Sequence, residues 1–308
     1  MGKITRKPFI LAVVMLLIIA MAAGCGGGKS SGAGDVIKVG SKDYSEQLIL
    51  AQLAIQILEA NGIKTEDRSN VSGSDTCRKA LETGEFSMYW EYTGTAWMML
   101  LQNEPFAGTP QAMYERLKEI DAENGLSWLE YAPFNNTYAL AMPAERAKEL
   151  GITTFTELGA FIKANPGVLV LACDHEFTAR PDGLPGLVET YGHDFGNNIS
   201  IMEMGIVFRT LAGGLADVAM VHATDGRNIQ YGLTLLVDDK NFFPIYNPAP
   251  CVRTDVLAKF PEIEDILKKV SSRLTNEIMQ TLNFRVDGED MEPREVAAQW
   301  LKAEGLID

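Results

Sequence analysis

Short apolar runs and helical apolar spacing alternate along residues 36–101 of this 308-residue chain. The apolar runs predict three buried strands, at residues 36–40, 65–71 and 86–92. Helices are predicted between and after these strands, at residues 46–61, from Ser74 to Gly84, and through Trp97 to Leu101. Ser45 or Asp43 is expected to cap the first helix. Strands that alternate with helices indicate a parallel sheet with helices on both faces.

The alternation restarts after about Pro133. Further strands are predicted at residues 137–142, 168–172, 199–204, 217–221 and 233–237. Further helices are predicted from residue 155 onward and at residues 208–213, 262–282 and 293–305. We therefore expect an α/β fold of two lobes, with lobe 1 at residues 36–133 and 239–308 and lobe 2 at residues 134–238. A cleft between two such lobes closes on a ligand by hinge motion.

The first 25 residues have the layout of a secretory signal peptide. Three basic residues precede an apolar run at residues 9–21, and the sequence AAGC follows at residues 22–25. This ending resembles a bacterial lipobox, in which the cysteine is lipid-modified and becomes the new N-terminus. A transmembrane anchor is the alternative, but the run is shorter than the ~20 residues that a spanning helix needs. We predict a signal peptide at residues 1–24 and lipidation at Cys25.

Residues 25–35 form a Gly/Ser-rich tether between that cysteine and the folded part of the chain. The predicted location is the extracytoplasmic face of the cell membrane, where the lipid anchor holds the protein. Loss of residues 1–24 removes three basic residues and no acidic ones, which changes the net charge from −14 to −17. This charge disfavours a nucleic-acid partner and electrostatic adhesion to anionic lipid. We expect a monomer.

The cysteines and histidines do not indicate metal, redox or catalytic chemistry. Three cysteines besides Cys25 lie far apart in apolar surroundings, which argues against a disulfide framework and predicts small buried side chains at Cys77, Cys173 and Cys251. Cys173 and His175 have no second pair of ligands at zinc-like spacing. The three histidines, His175, His193 and His222, lack the spacing of zinc proteases. We expect a non-catalytic protein without a metal or a cofactor.

Polar side chains follow the predicted strands of lobe 1, where ligands bind in open α/β sheets. Lys42 and Gln47 flank the start of the first helix, whose free N–H groups favour an anionic group. Tyr92 and Thr95 belong to the turn after the third strand, which directs an aromatic ring and hydroxyl groups toward the cleft. The alternatives are a solvated residue for Gln47 and core packing for Tyr92.

Lobe 2 and the return crossing contribute a similar set of side chains. Asn136 and Tyr138 start the first strand of lobe 2, His222 follows a later strand, and Tyr246 lies at the crossing. Aromatic rings that converge on a cleft with few acids indicate a cation held against ring faces, at ~0.5–2 kcal/mol per ring. A quaternary ammonium suits such a cleft because it has no hydrogen bonds to donate.

Seven short segments occur in one order, at residues 40–47 (GSKDYSEQ), 80–85 (ALETGE), 89–95 (YWEYTGT), 136–140 (NTYAL), 180–187 (RPDGLPGL), 224–227 (TDGR) and 238–244 (DDKNFFP). From about Ile37 to the C-terminus, the chain resembles the substrate-binding proteins of osmoprotectant ABC importers. These importers take up glycine betaine, choline, carnitine and related compounds. The resemblance implies capture of such a solute and its delivery to membrane permease subunits driven by a cytoplasmic ATPase.

The resemblance also implies a type II periplasmic-binding-protein fold with an aromatic cage between its lobes. Tyr92, Tyr138 and Tyr246 fall on cage tyrosine positions. Gln47 and Thr95 fall on positions that hydrogen-bond the carboxylate or hydroxyl tail of the ligand.

His222 departs from the pattern of the relatives, which usually carry a cage tyrosine at this position. A neutral imidazole offers a π face, whereas an imidazole protonated near pH 6.5 repels a cation. Either binding weakens at acidic pH or the ligand is not a simple betaine, unless His222 lies just outside the cage. An amino acid or a polyamine is the alternative ligand.

Four other polar or aromatic residues near these motifs are not assigned to the ligand. Arg180 and Asp182 are expected to act in a turn or in lobe closure. Trp90 and Trp97 are expected to belong to the core.

Overall fold

The computed structural model describes residues 36–103, 106, 108–179 and 183–308. The predicted signal peptide, the predicted lipidation site at Cys25 and the predicted tether lie outside the described residues, as do Arg180 and Asp182.

The described residues contain ten strands in two five-stranded sheets. In chain order, the strands are β1 Ile37–Gly40, β2 Thr65–Arg68, β3 Met88–Tyr92, β4 Leu126–Trp128, β5 Tyr138–Pro143, β6 Leu171–Cys173, β7 Ile199–Ile201, β8 Val218–His222, β9 Leu233–Leu235 and β10 Pro248–Arg253. The first sheet has the order β2-β1-β3-β10-β4, and the second has the order β7-β6-β8-β5-β9.

Helices flank both sheets. In chain order, they are α1 Ser45–Ala60, α2 Ser74–Thr83, α3 Thr93–Thr95, α4 Pro110–Glu123, α5 Ala144–Leu150, α6 Phe155–Ala164, α7 His175–Ala179, α8 Leu184–Tyr191, α9 Met204–Ala212, α10 Arg227–Gln230, α11 Thr254–Lys259, α12 Glu262–Ser271, α13 Asn276–Asp287 and α14 Pro293–Ala303. A π-helical turn, Ala96–Leu100, continues α3.

Both sheets are mixed, so the prediction of a parallel sheet is wrong in part. β1 pairs in parallel with β2 and β3, but β10 is antiparallel to β3 and β4. In the second sheet, β6 is parallel to β7 and β8, whereas β5 is antiparallel to β8 and β9. β5 and β10 are the strands that follow the two passages of the chain between the sheets. Each of them runs antiparallel to both of its neighbours.

The chain passes between the sheets twice, after β4 and before β10, and hydrogen bonds join the two passages. Asn247 Nδ2 donates to the backbone oxygen of Phe134 at 2.8 Å. Thr137 Oγ1 donates to the backbone oxygen of Pro244 at 2.8 Å. Both sheets belong to one compact unit, Val36–Asp308.

Apolar side chains fill a core around each sheet. At the first sheet, α1 contributes the fully buried Ile49, Leu50 and Leu53, and at the second, Phe155 and Phe177 are fully buried. Each buried CH₂ group contributes about 0.8 kcal/mol to the free energy of unfolding. Burial of these apolar side chains therefore stabilises the packing of the helices on their sheets. Among the described helices, none is both long and apolar enough to cross a membrane.

Two predicted helix boundaries are wrong. α1 begins after Tyr44, and neither Asp43 nor Ser45 caps it through its side chain. The helix predicted at residues 262–282 is two helices, α12 and α13. Thr275 starts the second one, because its hydroxyl accepts a hydrogen bond at 3.3 Å from the backbone N–H three residues later.

Candidate functional site

A cavity of about 730 Å³ lies where the ends of β3 and β8 and the start of β5 meet the segment before β10. This volume is within the ~300–1,000 Å³ typical of small-molecule sites. Most of the predicted site residues line the cavity, namely Tyr92, Thr95, Asn136, Tyr138, His222 and Tyr246. Lys42 and Gln47 are not among its lining residues.

Tyr138 and His222 are neighbours because of the antiparallel register of β5 and β8, which places them opposite each other. Their ring centroids are 5.1 Å apart, with the ring planes inclined by 34°. Phe177 and Phe243 pack against the Tyr138 ring, each at 5.9 Å between centroids, and so restrict its orientation. Burial lowers the pKa of His222 below its ordinary value, and the nearby Asp225 opposes this shift only in part. The imidazole is therefore neutral at pH 7.

Gly94 brings the Tyr246 ring close to the end of β3. A Cβ atom on Gly94 would lie 2.7 Å from the Tyr246 ring and 2.7 Å from the backbone oxygen of Ile245. The chain continues from Tyr92 directly into α3. Close packing of the tyrosine is what requires the glycine.

Glu46 is a lining residue that the sequence reasoning missed. Its carboxylate is buried, and it accepts hydrogen bonds from the Tyr92 hydroxyl at 2.6 Å and from the Nδ2 atoms of Asn136 and Asn283, both at 2.9 Å. Burial raises the pKa of Glu46, and these hydrogen bonds offset the lost hydration only in part. An acidic residue in the first turn of a helix is common because it stabilises the helix dipole, so the sequence pattern does not single out Glu46.

Two more acids, Asp225 and Asp287, line the cavity, so the expectation of few acids there is wrong. Arg227 also lines it and donates to both oxygens of Asp225, from Nε at 2.9 Å and from Nη2 at 2.6 Å. The Ser45 hydroxyl donates to Asp287, whose pKa is raised by burial. With Glu46, the described lining contains three carboxyl groups and one guanidinium, which favours a cationic solute.

Helix α13 closes one side of the cavity. Asn283 Nδ2 donates to the backbone oxygen of Thr224 at 2.8 Å, in addition to its bond to Glu46. Gly226 packs directly on this helix, since a Cβ atom there would lie 2.2 Å from the backbone nitrogen of Phe284. The segment after β8 and the C-terminal part of the chain are therefore in close contact at the cavity wall.

Lys42 and Gln47 do not line the cavity, and their contact with a ligand stays a prediction. Lys42 Nζ pairs with Glu91 Oε1 at 2.6 Å and lies 5.2 Å from the centroid of the Tyr92 ring. Gln47 Nε2 donates to the backbone oxygen of Trp90 at 3.0 Å. Both side chains are buried and support strand β3.

Among the residues that the structure describes, the remaining cysteines and acids form no metal site. Cys77, Cys173 and Cys251 are buried free thiols, and burial raises the pKa of Cys77 to about 11 and that of Cys173 to about 12. No group of three or more His, Cys, Asp or Glu side chains among the described residues could hold a metal ion. Trp90 is fully buried in the core of the first sheet.

Comparison with known proteins identifies the family. The model of the substrate-binding domain of ABC-type glycine betaine transport systems matches residues 35–303. The chain belongs to this family. Its glycine-betaine-binding relative from Pseudomonas aeruginosa is 37% identical over 300 residues, covering 95% of this chain and 96% of the relative.

Two further relatives match most of the chain. The glycine betaine-binding protein YehZ of Escherichia coli is 32% identical over 89% of this chain and 92% of its own length. The apo structure of YehZ has a TM-score of 0.81 at 31% identity, covering 88% of this chain and 99% of that structure. The ergothioneine transport permease/ergothioneine binding protein EgtU of Helicobacter pylori is 32% identical over 87% of this chain and 47% of the relative. These matches confirm the predicted α/β periplasmic-binding fold and the predicted class, a substrate-binding component of an ABC transporter.

Proposed function

We propose that the cavity binds a small quaternary-ammonium solute and that the protein delivers this solute to the permease subunits of its importer. The observation that carries the proposal is one cavity lined by a buried carboxylate, from Glu46, and by five rings, from Tyr44, Tyr92, Tyr138, His222 and Tyr246. Each ring face attracts a cation by ~0.5–2 kcal/mol, and more where water is excluded. A methylated nitrogen has no N–H groups, so it leaves no hydrogen-bond donor unpaired when it moves from water to a site lined by rings.

In this proposal, residues 36–133 and 239–308 act as lobe 1 and residues 134–238 as lobe 2. Tyr92 and Thr95 belong to the first group, whereas Tyr138 and His222 belong to the second. Closure of the lobes then encloses the cation between rings from both. Because the solute stabilises the closed form, solute binding and the shape presented to the permease change together.

We also propose that the protein is secreted, anchored and monomeric. The basic start, apolar run and AAGC sequence support a signal peptide at residues 1–24 and a lipid anchor on Cys25, at the extracytoplasmic face. The acidic charge supports a role without nucleic acid. Membership of a transport family supports a role without catalysis.

Thermal unfolding with a panel of solutes tests the ligand class. The panel contains choline, glycine betaine, carnitine, ergothioneine, spermidine and unmethylated amino acids. At ~100 times its Kd, a ligand contributes about 2.7 kcal/mol, so we expect a quaternary-ammonium solute to raise the midpoint by roughly 5–10 °C. Stabilisation by spermidine or amino acids alone would contradict the proposal. Mass spectrometry of the recovered solute tests whether it is unchanged.

Affinity for the cation is expected to decrease at acidic pH. Because burial lowers the pKa of His222, its repelling charge forms only below the ordinary value of about 6.5. Burial raises the pKa of Glu46, so as the pH falls its attraction for the cation is lost at a higher pH than for an ordinary glutamate. Titration calorimetry between about pH 5 and 8 measures both effects.

His222→Tyr is expected to remove the histidine part of this pH dependence and to leave the part due to Glu46. His175→Tyr, at an exposed histidine outside the cavity lining, is the matched control and is expected to change nothing. Constant affinity of the unmodified protein across the range would rule out both contributions.

A further inference from the structure

Glu46 holds a buried negative charge at the cavity wall without a cationic partner in the described structure. The side chain is 3% exposed, and its hydrogen-bond donors are all neutral: the Tyr92 phenol, the amides of Asn136 and Asn283, and the Thr224 side chain. The ion pairs of the described residues do not include Glu46. A charge that is removed from water and unpaired stabilises any cation that reaches the same cavity.

The other charged groups of the described lining do not cancel that charge. Arg227 is committed to Asp225 through two hydrogen bonds, and Asp287 adds another carboxyl group. Lys42 lies outside the lining and is paired with a different carboxylate. A solute that carries its own carboxylate therefore meets acidic neighbours and, within the described lining, only a guanidinium that is already paired.

Two acceptor atoms next to Glu46 have no hydrogen-bond partner. They are the Oδ1 atoms of Asn136 and Asn283, both lining the cavity, and the Asn283 side chain is 4% exposed. A buried acceptor without a partner is unfavourable, but both oxygen atoms are shielded from solvent, so a donor in the cavity reaches them only when the asparagine side chain rotates. The hydroxyl group of choline is such a donor, whereas glycine betaine has none.

We propose that Glu46 is the counter-charge of the ligand nitrogen and that, with Asn136 and Asn283, it makes the cavity select a quaternary-ammonium alcohol of the choline class over a zwitterion. This inference rests on the proposed function, because it assumes that a quaternary ammonium occupies the cavity. The inference goes further than the proposed function because it specifies the ligand's net charge, which is positive, and its hydrogen-bond donor, which is a hydroxyl group. Asparagine acceptors recognise the alcohol end, and Glu46 together with the ring faces recognises the methylated end.

Titration calorimetry with three probes tests the preference for a cationic alcohol. The probes are choline, glycine betaine and 3,3-dimethylbutan-1-ol, a neutral alcohol with the shape of choline. For the unmodified protein, we expect choline to bind at least about tenfold more tightly than either of the others. Equal or tighter binding of glycine betaine would overturn the inference.

The variant Glu46→Gln keeps the size of the side chain and removes its charge. It is expected to weaken choline binding by about tenfold or more while changing glycine betaine binding by less than about threefold, which narrows the selectivity. Glu59→Gln removes an exposed carboxylate from the same helix and is expected to leave all three affinities unchanged. An equal loss for choline and glycine betaine in Glu46→Gln would assign the residue a structural role and overturn the inference.

A second variant keeps the test valid if Glu46→Gln disturbs folding, which circular dichroism and ligand-free melting would reveal. Glu46→Asp retains the charge, so it is expected to retain the preference for choline over glycine betaine even if both bind more weakly. Loss of that preference in Glu46→Asp would contradict the claim that the negative charge of residue 46 causes the selectivity. If the unmodified protein binds quaternary ammonium solutes without preference, only this inference fails, whereas binding of none of them removes the proposed function as well.

Discussion

Replacing Gly226 by alanine is expected to weaken ligand binding by roughly 5- to 150-fold, the equivalent of the 1–3 kcal/mol that overpacking costs. The added Cβ atom would lie 2.2 Å from the backbone nitrogen of Phe284 and 2.4 Å from its Cα, so the segment after β8 must move away from α13. That movement separates Thr224 and Asn283, which both line the cavity. Gly226 has a φ of −62°, so backbone strain does not contribute.

Gly205→Ala is the matched control for this experiment. A Cβ atom at Gly205 would meet nothing within 4 Å, and the residue lies in α9, where alanine is favoured. Titration calorimetry and thermal unfolding of both variants separate a loss of affinity from a loss of folding. Normal affinity in Gly226→Ala would show that contact between α13 and the segment after β8 is not needed for binding.

Replacing Tyr138 by leucine is expected to reduce affinity for a quaternary ammonium by roughly 10- to 30-fold. Leucine keeps an apolar side chain between Phe177 and Phe243 but removes the ring face, which contributes up to ~2 kcal/mol to a desolvated cation. The measurement is titration calorimetry with choline at pH 7.5.

Tyr138→Phe distinguishes the ring face from the hydroxyl group. It retains the π face and is expected to bind within about threefold of the unmodified protein, because the cation is attracted to the ring. A large loss in Tyr138→Phe with no further loss in Tyr138→Leu would assign the effect to the hydroxyl group and contradict a cation–π contribution.

Local patterns predicted β1, β2 and β3 of the first sheet, but they predicted neither β4 nor β10. The spacing of Leu48, Ala51 and Leu58 correctly indicated α1, and Gly84 ends α2 in the left-handed conformation that suits glycine. β10 was missed because Pro248 and Pro250 lack the N–H groups that a central strand normally donates. Without β10, nothing in the apolar pattern indicated that the chain returns antiparallel between β3 and β4.

The aromatic part of the candidate site could be predicted because its tyrosines occur at strand ends and within recognisable motifs. Glu46 could not be distinguished from an ordinary first-turn acid, and the neighbouring Gln47 was chosen instead, although its side chain faces Trp90. Asn283 lies on a helix far along the chain, and only the tertiary contact with Thr224 brings it to the cavity. Side-chain direction and long-range packing, which periodicity does not encode, account for these differences.

The burial of three thiols has a practical consequence for fluorescence measurements of ligand binding. Thiolates react with maleimides, and the raised pKa values of Cys77, Cys173 and Cys251 keep those side chains protonated at neutral pH. A cysteine introduced at Met99, which is 59% exposed at the cavity rim, would therefore be labelled selectively in a chain that begins after Cys25. A fluorophore at that position would turn the protein into an optical sensor of its solute while leaving the native cysteines in place.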